Sequence, residues 1–188
     1  MISLEEARDL SQNFRVIPLV RTLFSGTETP VTVFEKLAAG TNGGFLLESA
    51  EQGVWSRYSF IGVSNLGVVY KQDSAITWRP SEQSATSDLV QALVSDNQGL
   101  DAIESLQSWF TAAPIPGLPP LVSGMVGFLG WTIVNEIEDL PEPKSGSYVI
   151  PEMAFSILRD LVVIDHSDST IKIISNLYVS DASTLDEQ

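Results

Sequence analysis

The sequence contains no cysteine. Disulfides, thiolate nucleophiles and cysteine-ligated zinc are therefore excluded, and the chain suits a reducing compartment. It holds one histidine, His166. A triad or metal cluster that needs a second imidazole cannot be built. Basic residues are few, 10 against 24 acidic ones, for a net charge of −14. That balance repels a phosphate backbone or an anionic bilayer, so no nucleic acid and no membrane partner is expected. No apolar run reaches the ~20 residues of a membrane helix. The opening MISLEEARDLSQNF is acidic and lacks an apolar segment, unlike a secretory leader or an arginine-rich transit peptide. A cytoplasmic location is the expectation.

Hydrophobic residues make up 44% of the 188 positions, which is enough for one domain with a continuous core. Ser3 and Glu6 fit a capping box ahead of a short helix. FRVIPLVRTLF reads as an edge or bulged strand because of Pro18. Thr29 and Pro30 open a second helix, which ends at Gly40. Four strands follow, GFLLES, VWSRYSFIG, LGVVYK and AITWR, with AEQG, VSN and QDS as hairpin joins. SDLVQALV, capped by Ser87, and LDAIESLQSWF have helical periods. AAPIPGLPPLV is an ordered or extended connector. GMVGFLGW reads as a glycine-rich strand and TIVNEIEDL as a helical turn or two. MAFSILRDLVVID and TIKIISNLYV form a hairpin through HSDS. The order of elements is α+β with mostly antiparallel sheet. Phe45, Leu47, Phe60, Ile61, Val69, Phe128, Ile157, Val163 and Ile173 are the expected core.

Three clusters invite a chemical reading and receive a plainer one. His166 lies in a predicted turn, where exposure is commoner than catalysis. Gly124, Gly127 and Gly130 sit within a strand pattern and lack the Lys-Ser/Thr of a phosphate loop, so close backbone packing explains them. Glu136, Glu138, Asp139 and Glu142 could act as acid and base or bind Mg²⁺, but a solvated helix face is the usual outcome.

LLESAEQGVWSRYSFIG, residues 46–62, is less easily explained. Alternation puts Val54, Ser56, Tyr58 and Phe60 on one side of its second strand, and Trp55, Arg57, Ser59 and Ile61 on the other. In the first strand Leu47 and Ser49 share a face, as do Leu46 and Glu48. Burying Glu48 and Arg57 without partners would cost several kcal/mol each. Either the two pair with each other, or they and the serines line a pocket for a zwitterion. A carboxylate there would accept the ammonium, and hydroxyls with a guanidinium would hold the carboxylate. An amino acid has that form.

The same stretch resembles the N-terminal signature of anthranilate synthase component I, a chorismate-utilising enzyme. VIPLVRTLFSGTETPVTVFEKLA, SGMVGFLGWTIVNEIEDLP and IPEMAFSILRDLVVIDHSDSTIKIISN resemble further parts of that family in the same order. The resemblance implies an α+β fold with antiparallel β-sheets, a partial β-sandwich flanked by helices. It implies that residues 1–188 are the N-terminal domain, without the C-terminal chorismate-binding catalytic domain. The full enzyme would make anthranilate and pyruvate from chorismate and ammonia, with feedback inhibition by L-tryptophan. Its partners would be the glutamine amidotransferase subunit and its own catalytic domain. No cofactor is expected in this domain, and Mg²⁺ is expected in the catalytic half. By motif, Leu47, Glu48 and Ser49, with Arg57, Tyr58 and Ser59, would hold the tryptophan, and no catalytic residue is assigned. The rival readings are aminodeoxychorismate synthase component I of the folate pathway and a stand-alone amino-acid-binding module.

Overall fold

The structure is a computed structural model that describes residues 2–48, 57–72, 75–97, 99–141 and 150–179. Its elements follow the chain as α1 (Leu4–Ser11), β1 (Val16–Phe24), α2 (Pro30–Leu37), β2 (Phe45–Leu47), β3 (Tyr58–Gln72) and β4 (Ala75–Pro80). After them come α3 (Ala85–Ser95), α4 (Gly99–Trp109), β5 (Met125–Leu129), a 3₁₀ helix (Trp131–Glu136), β6 (Met153–Asp165) and β7 (Thr170–Tyr178). All seven strands share one sheet, in the order β1-β7-β6-β3-β2, with β4 on β3 and β5 on β6. The α+β, antiparallel class expected from the sequence is the class observed.

Local chemistry accounts for the helix starts. Ser3 Oγ accepts from the Glu6 N–H, and Glu6 returns the bond to the Ser3 N–H, satisfying two amides that the first turn leaves open. Thr29 caps α2, with Pro30 at its first position. The cap of α3 is Ser84 rather than the expected Ser87. Ser87 is buried and accepts from Trp78 Nε1 at 3.2 Å. Three residues of helical phase separate the two serines, so the pattern alone suits both.

The chain forms two compact units, and β3 and β6 each contribute to both. The first unit comprises residues 1–65, 110–124 and 158–188. On one face of its sheet Ile61, Val162, Ile164 and Ile171 form a core with Val33 and Ala38, against which Phe34, Leu46 and Val63 pack. The opposite face buries Leu161, Val163 and Ile174 with Phe45, Tyr58, Phe60, Leu121 and Val122 around them. The proline-rich connector is thus ordered against the sheet. It is tied to β1 by the Ala113 N–H donating to the Val16 carbonyl at 2.8 Å.

The second unit comprises residues 66–109 and 125–157. Here β4 pairs with β3 from Gln72↔Ala75 onward, β5 pairs with β6, and α3 packs on β4 and α4. Gly127 fits the close-packing expectation. A Cβ there would overlap the Ala154 carbonyl and the Phe155 Cα of β6.

Two expectations change. Val63-Ser64-Asn65 is not a hairpin join, because β3 runs through it for 15 residues. Its polar side chains are satisfied inside the sheet: Ser64 Oγ donates to Asp160, and Asn65 Nδ2 donates to the Asn42 carbonyl. Among the expected core residues, Leu47, Phe128 and Ile173 are 43%, 45% and 40% exposed. Leu47 ends a three-residue strand, Phe128 lies on β5, and Ile173 points away from the buried face of Ile174. The AEQG join, the Asp73–Ser74 connection, Glu142 and the last nine residues lie outside the described residues.

Candidate functional site

The start of β3 and the end of β6 meet side by side. The His166 N–H donates to the Arg57 carbonyl at 2.8 Å, which brings residues more than a hundred positions apart into one cluster. Arg57 Nε and Nη2 then grip the two oxygens of Asp165 at 2.9 and 2.7 Å. This is the fork-on-fork geometry that makes guanidinium–carboxylate pairs strong and directional. The Asp165 side chain is 1% exposed and that of Arg57 is 49% exposed. The Ser167 N–H and Oγ also donate to Asp165, at 3.1 and 2.9 Å. The bonds from Arg57, aided by Ser167, outweigh burial and hold the Asp165 carboxyl down to about 2. Next along β3, the Arg57 guanidinium lies 4.9 Å from the centre of the Tyr58 ring. Ser59 is buried, and its Oγ shares a hydrogen bond with His166 Nε2 at 2.8 Å.

The residues singled out from the sequence are thus placed as follows. Arg57 and Ser59 are each held by the β6–β7 turn. Tyr58 is half-buried beside Phe60. Leu47 faces Phe60 across the β2–β3 ladder. Glu48 is exposed just past β2, and Ser49 lies outside the described residues. Alternation puts Leu47 and Tyr58 on the face of Phe60, and Ser59 on the opposite face with Ile61. The partner of Arg57 is Asp165, not Glu48. The ladder delivers Asp165 from a strand far away in sequence, whereas Glu48 lies beyond the short β2. Sequence reasoning missed Asp165, His166 and Ser167 as members of this cluster. Their signal was an aspartate closing an apolar strand (LVVID) opposite the only arginine in β3's approach.

The described members of the acidic cluster, Glu136, Glu138 and Asp139, do not converge. Glu136 Oε1 and Glu152 Oε2 enclose the buried Lys71 ammonium at 2.5 and 2.7 Å. Glu136 Oε2 also accepts from the Leu100 N–H at the start of α4. Burial pulls the Lys71 pKa down, but the two carboxylates outweigh it and the net shift is upward. Glu138 and Asp139 are exposed. Among the described residues, no three His, Asp or Glu side chains are grouped as metal ligands. No helix there is long and apolar enough to cross a membrane.

Two outcomes follow from these pairs. The Asp165 pKa is depressed, so its contribution is present above its ordinary value near 4 and is lost as pH falls towards about 2. Asp165→Asn should therefore cost about 2 kcal/mol at neutral pH, a figure already reduced for the solvent-screened guanidinium. The gap between wild type and variant in urea unfolding should narrow below pH 4. Lys71→Met leaves two carboxylates facing each other and should cost about 3 kcal/mol at pH 7. Acid should restore part of that loss by protonating one of them, as thermal melts across pH would report.

No family model matches the chain. Individual proteins do. Anthranilate synthase component 1 of Mycolicibacterium smegmatis is 35% identical over 175 residues, covering 93% of this chain and 32% of that protein. The Arthrobacter globiformis protein of the same name is 36% identical over 182 residues, covering 96% of this chain and 33% of that one. That of Thermus thermophilus is 30% identical over 164 residues. A crystal structure of anthranilate synthase component I from Streptococcus pneumoniae TIGR4 aligns with 88% of the chain at 15% identity and a TM-score of 0.47. The chain spans about a third of the length of the relatives it matches. Over nearly all of its length, the chain is a homologue of the N-terminal part of anthranilate synthase component 1.

Proposed function

We propose that this chain is the regulatory and structural domain of an anthranilate synthase component 1 in tryptophan biosynthesis. The observation that carries this is identity of 35–36% spread over 93–96% of the chain. The whole enzyme would convert chorismate and ammonia, supplied from glutamine by an amidotransferase subunit, to anthranilate and pyruvate. The catalytic chemistry and its Mg²⁺ belong to the two thirds of the relatives that this chain does not match. The part played here is packing, subunit contact and binding of L-tryptophan as inhibitor.

The geometry supports the effector reading in one respect. Asp165 engages Nε and Nη2 of Arg57 and so holds the guanidinium still, with Nη1 outside that fork. A pre-positioned donor loses less rotamer entropy when it takes up a ligand carboxylate. Glu48 is an exposed carboxylate at the end of the neighbouring strand and would accept the ligand ammonium. Tryptophan inhibits only if it binds the inactive arrangement more tightly than the active one.

The test uses the full-length enzyme that carries this domain. Ser49→Phe should weaken tryptophan inhibition at least ~10-fold, because losing a hydrogen bond to a charged group costs about 1.5–3 kcal/mol before any steric effect. The rate without tryptophan should change little. Ala92→Phe, at an exposed position of α3, is the control and should leave inhibition unchanged. The 188-residue chain alone should make no anthranilate from chorismate, ammonia and Mg²⁺. An unchanged tryptophan response in folded Ser49→Phe enzyme refutes the effector assignment. Anthranilate fluorescence from the isolated chain refutes the division of labour.

A further inference from the structure

Among the described residues, strand β5 is an open edge. It pairs with β6 on one side, from Met125↔Ile157 to Leu129↔Met153, and has no second neighbour among the described residues. Two bonds frame that ladder: the Leu158 N–H donates to the Gly124 carbonyl at 2.9 Å, and the Gly130 N–H donates to the Glu152 carbonyl at 2.7 Å. Antiparallel alternation then aims the backbone groups of Val126 and Phe128 at β6, and those of Met125, Gly127 and Leu129 away from it. The side chains on and just after this strand are apolar and open to solvent: Phe128 45%, Leu129 52% and Trp131 83% exposed.

Proteins ordinarily blunt such an edge with lysine, proline or a bulge. None is present here. No charged side chain occurs from residue 105 to residue 135, in a chain whose net charge is −14. An uncharged edge with unpaired amides and exposed aromatics is built to be covered. Two occupants can be compared on charge and supply. A second copy of the chain would bring another −14 towards this one, which opposes close association. The matched relatives are about three times as long as the chain, so a polypeptide able to supply a further strand is part of the same protein in those organisms.

We infer that β5 is extended by a β-strand from the two thirds of an anthranilate synthase component 1 polypeptide that this chain does not match. This rests on the domain reading above. The incoming strand bonds to the outward N–H and C=O groups of Gly127 and Leu129, and its flanks cover Phe128, Leu129 and Trp131. Main-chain bonds supply the affinity of such strand addition and the neighbouring side chains its register.

Hydrogen exchange resolved at single amides tests this, with the free 188-residue chain compared with a chimera in which it replaces the matching third of the M. smegmatis enzyme. The Gly127 and Leu129 amides should exchange at least 100-fold more slowly in the chimera. Leu129→Pro removes no bond to β6, so the free chain should keep its melting temperature within a few degrees, while protection of Gly127 in the chimera falls at least tenfold. Equal protection in the free monomer overturns the inference, because the edge is then covered within this chain. Protection that rises with concentration as the free chain dimerises overturns it in favour of a second copy. A chimera that makes anthranilate with both amides unprotected overturns the strand and leaves the domain reading intact. Protected amides in a folded chimera that makes no anthranilate uphold the strand and count against the domain reading. Should the chimera fail to fold, the aligned amides of the intact M. smegmatis enzyme decide: slow exchange there upholds the pairing and fast exchange ends it.

Discussion

The pairing of β3 with β6 is the constraint on which the other features depend. These are the longest strands, and they are the only ones that contribute residues to both compact units. β2 and β4 attach to β3, and β5 and β7 attach to β6. Bonds from His166 to the Arg57 carbonyl and from Glu152 to the Lys71 carbonyl mark the two ends of the ladder. Each end also carries an ion cluster: Arg57 with Asp165, and Lys71 with Glu136 and Glu152. The register therefore decides which charges meet. A slip of one residue would turn each side chain to the other face and leave buried charge unpaired.

Legibility followed the range of the interactions. The caps at Ser3 and Thr29, the edge position of β1, the β6–β7 hairpin and the close approach at Gly127 each depend on a few neighbouring residues, and each was readable. The continuity of β3 through Ser64 and Asn65 was not. Polar residues signal a turn unless distant groups satisfy them, and here Asp160 and the Asn42 carbonyl do so. Arg57 illustrates the same limit at the candidate site. Its chemistry advertised a need for a carboxylate, but nothing nearby in sequence identified Asp165. Exposure at Leu47, Phe128 and Ile173 was missed for a related reason. Alternation specifies that a side chain leaves the sheet, and the elements packed above it determine whether water is excluded.

The chain is strongly acidic, and most of its described cations, Arg8, Arg21, Lys36 and Arg159 among them, are exposed. Arg57 and Lys71 are committed to internal carboxylates. Arg57 remains half open, so it can still meet a ligand. Lys71 is closed in, with its ammonium shared between the 3₁₀ helix and the start of β6. One arrangement suits binding and the other suits bracing. The difference lies in solvent access rather than in residue type.

Gly99 adds a consequence on the scale of evolution. It opens α4 at φ +54, and a Cβ on it would fall on the Glu136 carboxylate. That carboxylate has little room to retreat, because Lys71 holds one of its oxygens and the Leu100 N–H holds the other. A side chain at position 99 would have to push that carboxylate aside, and at φ +54 it would be strained whatever stands at position 136. Position 99 should therefore stay glycine through descent, held by its own backbone as well as by the bond from Leu100 to Glu136.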